Sequence, residues 1–172
     1  MKPAFRPAAL AGILFPITLL TACAQFGRPA LSAGMPEAEV IGRLGQPTHI
    51  YPDGADHLLE YMHGPMGQGT EMARIGADGK LVSYEQVLTV RKFATIQVGQ
   101  TRKEDVLKTV GAPSEIRRYG STANLETWNY PYREENVWDS EMSIYLDQAG
   151  VVRRMENGPD PRRTPKDGRH MR

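Results

Sequence analysis

The chain has 172 residues, with 21 Lys and Arg against 20 Asp and Glu, a net charge of +1 and a single cysteine. So even a balance excludes the strongly basic domain of a nucleic-acid binder. One cysteine excludes an intramolecular disulfide, so stability must come from burying apolar surface.

The first element is apolar. Lys2 and Arg6 precede a run from Ala8 to Leu20, and Cys23 follows. A basic start and a short apolar core form the layout of a secretory signal. The core is too short to span a bilayer, which takes ~20 apolar residues. Leu20-Thr21-Ala22-Cys23 resembles the lipobox of bacterial lipoproteins. That resemblance implies removal of residues 1–22 as a signal peptide and lipidation of the Cys23 sulfur, with palmitate among its acyl chains. Residues 23–30 then tether a domain to a membrane from outside the cytoplasm. Two or more chains suffice for stable anchoring. Ala24, where retained inner-membrane members carry Asp, points to the outer membrane. Loss of Lys2 and Arg6 leaves 19 basic against 20 acidic residues.

The folded region reads as two repeats, 31–88 and 89–157. Val40 and Val106, Gly45 and Gly111, and Pro47 and Pro113 are each 66 apart, and Leu59-Glu60 answers Leu125-Glu126 at the same offset. Each repeat begins with a short helix. Pro36 suits the N1 position of the first, with Glu37 and Glu39 near its positive end; Gly45 and Pro47 end it. Strands are predicted at 48–51, 57–63, 71–75 and 81–87, with Asp78-Gly79 as a hairpin turn. The second repeat opens with a short helix carrying Phe93 and Ile96 on one face. A second helix follows, with Thr101 and Glu104 at capping-box spacing and Val106, Leu107 and Val110 facing a core. Strands follow at 114–119, 125–130, 141–146 and 151–155, with Ala149-Gly150 at the matching turn. Residues 158–172 hold three prolines and five basic against two acidic side chains, the composition of a disordered basic tail. The expected fold is α+β: two tandem helix–helix–antiparallel-strand units forming one curved antiparallel sheet with helices on one face.

The pattern G-x-x-x-x-x-V-x-x-x-L-G-x-P behind a lipobox, a later strand–Gly–strand hairpin, and Gln86–Thr89 followed by Phe93, Ile96 and Gly99 resemble the SmpA/OmlA (BamE-like) family of outer-membrane lipoproteins. The resemblance implies a non-enzymatic, periplasm-facing domain that binds a protein partner in outer-membrane assembly or envelope integrity. That family has one copy of the unit. The doubling is similar to the β-lactamase inhibitor protein family, which implies an alternative: an inhibitor or regulator gripping a periplasmic enzyme with a concave sheet.

No catalytic constellation emerges from the residues. His57 and His63 share a strand face, with Asp53, Asp56 and Glu60 nearby, but a metal site needs further ligands in matching geometry. No serine sits in a nucleophile elbow. Gly64–Gly69 reads as a hairpin loop, because a strand and not a helix follows it. No cofactor, metal or small-molecule substrate is expected. The partner-binding candidates are Trp128, Tyr130, Tyr132, Arg133 and Trp138, residue types that dominate binding hot spots. Trp128 reads as core, and Tyr132 and Trp138 as exposed in a loop over 131–140.

Overall fold

The computed structural model describes residues 31–64, 68–118 and 125–163. The predicted signal and tether, with Cys23, lie outside the described residues. The fold is α+β: α1 (Glu37–Leu44) and a meander of β1 (His49–Asp53), β2 (Asp56–His63), β3 (Gly69–Ile75) and β4 (Leu81–Gln86), then α2 (Val90–Phe93) and α3 (Lys103–Val110), then β5 (Glu115–Arg118), β6 (Glu126–Glu134), β7 (Trp138–Leu146) and β8 (Val152–Pro159).

The strands form two four-stranded antiparallel sheets, β1-β2-β3-β4 and β5-β6-β7-β8, rather than one curved sheet. Chain pairing explains the separation. The Gly34 N–H bonds to the Leu81 carbonyl and the Leu81 N–H to the Met35 carbonyl, so the segment before α1 occupies the outer edge at the start of β4. On β8, Gly99 and Thr101 hold Val152 in the same way.

The helices lie on both faces of the first sheet, not on one. Val40, Ile41 and Leu44 of α1 pack against Leu59, Tyr61, Ala73, Ile75 and Leu81. On the opposite face, Lys108 of α3 reaches Asp53 at 3.4 Å and Lys92 of α2 reaches Glu85 at 2.7 Å. The same two helices bury Phe93, Val106 and Val110 against Trp128, Tyr130, Ile144 and Leu146 of the second sheet. Alternation along β7 sends Ile144 and Leu146 inward and Ser143 and Tyr145 outward.

Several local expectations change. Pro36 is the N-cap of α1, and α3 is capped by neither side chain nor capping box. The N–H groups of Glu37 and Lys103 bond instead to the carbonyls of Gly79 and Gly150. The Thr101 hydroxyl accepts from the Gln97 N–H. A neighbouring hairpin thus satisfies the orphan donors that a side chain would otherwise take. Pairing also overrides composition at the C-terminus. β8 runs to Pro159 opposite Ser140, Asp160 is buried, and its N–H bonds to the Asp139 carbonyl. Residues 158–163 are therefore ordered; 164–172 lie outside the described residues. Finally, Ile50 pairs Leu59 while Ile116 pairs Trp128, so the counterpart of Leu59 is Trp128 and not Leu125.

Gly45 and Gly111 end their helices at φ 86, ψ −171 and φ 82, ψ −168, a region essentially restricted to glycine. A Cβ at Gly45 meets nothing within 4 Å, whereas one at Gly111 collides with the Glu60 carboxylate. Urea unfolding is expected to give a loss of about 1–3 kcal/mol for Gly45→Ala. Gly111→Ala should lose about 1–3 kcal/mol more, the cost of displacing a buried acceptor. Equal losses would contradict the close approach.

Candidate functional site

The aromatic candidates separate into two groups. β6 continues to Glu134, so the predicted loop over 131–140 is instead a short hairpin in which Glu134 pairs Trp138. Alternation then places Trp128, Tyr130 and Tyr132 on one face of the sheet, beneath α2. Phe93 meets Tyr130 and Tyr132 edge-on, at centroid distances of 5.9 and 5.1 Å. Tyr132 is fully buried, which corrects its expected exposure. These three side chains support the site and cannot touch a partner. Pro131 is tolerated within β6 because pairing with β5 stops at Asn129, which leaves that stretch an edge.

Trp138 is 68% exposed and the adjacent Val137 60%. The hairpin beneath them is held by polar contacts. The Ser140 hydroxyl donates to Glu134 at 2.6 Å and the Asn157 amide at 3.2 Å. These bonds hold the Glu134 carboxyl below its ordinary range. The Tyr132 hydroxyl donates to Asn157. Arg133 donates to Asp139 at 3.0 Å and to the Asn136 carbonyl at 3.2 Å. Glu135 and Asn136 make the turn at φ 50 and φ 57, strained for a non-glycine residue such as Glu.

Beside the hairpin lies a cleft of about 740 Å³, between the end of β2–β3, the β4–α2 link and the β6–β7 tip. His63, Gln86, Arg91, Arg133 and Asn136 supply its polar lining, and Leu88 and Val90 its apolar part. Gln68 bridges the two sheets here, donating to Asp139 at 3.1 Å. Arg133 is thus the sequence candidate that lines the cleft. His63, Gly64, Gln68 and Gly69, and Gln86 with Leu88 to Arg91, complete it from distant parts of the chain, and no sequence signal joins them.

Among the described residues, the histidines and acids singled out from the sequence fall into separate pairs. His57 Nε2 lies 3.0 Å from Glu37 on one face of the first sheet. Asp53 and Asp56 bond Arg74 on the opposite face. His63 meets Glu71. Among the described residues, no group of three or more His, Cys, Asp or Glu is placed to hold a metal ion. Trp128, Tyr130 and Tyr132 are buried, so they do not line an open sheet face. The other face of the second sheet carries Ser143, which donates to the buried Asn129, and Tyr145, with the Arg154 guanidinium stacked 3.9 Å over its ring.

No protein-family model matches the chain, and searches of curated proteins and of solved structures return no match.

Burial, reinforced by the Glu134 charge, pushes the Tyr132 phenol up to about 12, and burial raises Tyr130 as well. An unfolded tyrosine ionises near ~10. A raised folded value means that this contribution to stability is complete below about pH 10 and is lost as pH rises through about 12. Unfolding free energy is expected to fall across that window, and to fall less in Tyr132→Phe. An identical decline in the variant would contradict the assignment.

Proposed function

We propose that the chain is an outer-membrane lipoprotein, anchored through Cys23, whose periplasm-facing domain is a tandem duplication of the SmpA/OmlA (BamE-like) unit. Its role is to bind a protein partner in outer-membrane assembly or envelope integrity, without catalysis. The single observation that carries the binding role is Trp138, displayed with Val137 at the tip of a hairpin braced by Glu134, Ser140 and Asn157. A large aromatic with two side-chain torsions loses little conformational freedom on binding, as hot-spot residues do. Arg133 and the adjoining cleft extend the surface with a cation and an apolar recess.

Support for duplication comes from matched contacts. Gly34 to Leu81 corresponds to Gly99 to Val152, and Glu37 to Gly79 corresponds to Lys103 to Gly150. The isolated bridge Pro36–Lys80 corresponds to Arg102–Val151. Both third strands shift register at the same place, between Arg74 and Ile75 and between Tyr145 and Leu146. Support for the anchor is the residue pattern ending at Cys23.

The test has two arms. Cys23→Ser is expected to move the protein from the membrane to the soluble fraction; unchanged sedimentation with membranes would refute the anchor. A photo-crosslinking residue at position 138, in cells, is expected to trap an envelope protein, and Trp138→Ala to weaken capture of that protein by tenfold or more. Crosslinks no more frequent than at the exposed control position Val82 would refute the binding surface.

A further inference from the structure

The hairpin that carries Trp138 overhangs its sheet. Pairing of β6 with β5 stops at Asn129, and pairing of β7 with β8 stops at Ser140. The last two pairs of β6 and β7, Arg133–Asp139 and Glu134–Trp138, therefore have no third strand on either side among the described residues. A two-stranded hairpin is marginally stable by itself in water, so contacts outside the ladder must hold the tip.

Alternation gives the overhang two faces. Trp138, Glu134 and Ser140 share the face that carries Tyr132, and there Glu134 meets Ser140 and Asn157. Asp139 and Arg133 lie on the other face, where the contacts leave the hairpin. Asp139 Oδ1 accepts from Arg133 at 3.0 Å and from Gln68, just before β3 of the first sheet, at 3.1 Å. The Arg163 guanidinium lies 3.9 Å from Oδ2, and the Asp139 carbonyl accepts from the Asp160 N–H at 2.9 Å. The strap 160–163 is itself tied down. Its fully buried Asp160 accepts from the Arg162 N–H and guanidinium, and Arg162 also reaches Glu141 at 3.8 Å. Arg133 first, and Gln68 with it, hold the Asp139 carboxyl below its ordinary range against the opposing effect of burial.

We infer that Asp139 is the positioning residue of the Trp138 surface: it ties the overhanging hairpin to Gln68 and to the strap 160–163, and so fixes the direction in which the neighbouring indole is presented. Exposed ion pairs contribute little to overall stability one by one. Donors from three separate segments that converge on one carboxylate nevertheless restrict a hairpin with no flanking strand. The effect falls on the placement of the tip more than on unfolding. An indole already held in place loses less freedom when a partner closes over it, and affinity rises as that cost falls. The inference deepens the binding role proposed above and rests on it for its functional meaning; the brace itself does not depend on that role.

The brace is tested on the chain from residue 23 carrying Cys23→Ser, so that lipidation plays no part. The protein has two tryptophans, and Trp128→Phe leaves Trp138 as the fluorescent reporter. Asp139→Ala is expected to lower the anisotropy of Trp138. Amide hydrogen exchange, on the chain with both tryptophans, reads the same motion at Val137, whose N–H bonds the Glu134 carbonyl. Exchange there is expected to quicken about tenfold in Asp139→Ala. Gly150, whose N–H bonds the Asp147 carbonyl in the other hairpin of this sheet, keeps its rate, and the urea midpoint barely moves; a merely structural residue would shift both. Gln68→Ala is expected to reproduce part of the loosening and to add nothing to Asp139→Ala. Unchanged anisotropy and Val137 exchange in Asp139→Ala would overturn the inference, as would quickened exchange at Gly150 with a lowered midpoint. Capture of the protein trapped at position 138 is expected to weaken about tenfold in Asp139→Ala with Trp138 intact. Full capture by a loosened tip would overturn the positioning role. A loosened tip on a chain that captures nothing would refute the binding role of Trp138 and leave the brace standing.

Discussion

A carboxylate with no exposure to solvent joins the two sheets. Glu60, on β2, accepts from the Tyr51 hydroxyl at 2.7 Å, lies 2.8 Å from His49 Nδ1, and accepts from the Ala112 N–H at 2.8 Å. The first two partners belong to its own sheet, and the third to the turn that leads from α3 into β5. Removing a carboxylate from water costs several kcal/mol. Hydrogen bonds to a charged acceptor contribute about 1.5–3 kcal/mol each, so three of them offset that cost only if the turn stays in place. The turn does so because Gly111 has no Cβ to strike Glu60 and because the Tyr130 hydroxyl donates to the Gly111 carbonyl at 3.1 Å. One chain of contacts therefore runs from β1 and β2 through the turn to the aromatic core of the second sheet.

That chain supports the hairpin and cleft proposed as a binding surface. Tyr130 and Tyr132 fix β6 against Phe93, and the extension of β6 past Asn129 carries Arg133 and the hairpin tip. The cleft beside the tip is bounded by both sheets, so its shape depends on the same joint. The hairpin tip and the inter-sheet contact are mechanically one feature: the hairpin holds Trp138 in place only if the sheet beneath it is fixed.

Much of this order was legible in the chain. Val40 and Val106, with their Gly-x-Pro stops, announce two helices with the same ends, and both become fully buried. Asp78-Gly79 and Ala149-Gly150 turn where expected, with both glycines at positive φ. What could not be read depends on contacts between distant segments. A hairpin carbonyl and not Thr101 meets the start of α3. β7 holds β8 extended as far as Pro159 despite a disorder-like composition. Tyr132 is buried because the strand outlasts its expected end. The Glu60 joint left one trace, an acid set between Leu58, Leu59 and Tyr61, where alternation alone would put apolar residues on both faces. The cleft left none, since it is assembled from three stretches that share no pattern.

Amide hydrogen exchange in Glu60→Leu tests the joint most directly. The Ala112 amide loses its acceptor, and it is expected to exchange far faster together with the turn around it, while β7, paired on both sides within its own sheet, keeps its protection. Undiminished protection of Ala112 in the variant would contradict the claim that this buried carboxylate holds the first sheet to the turn that leads into the second.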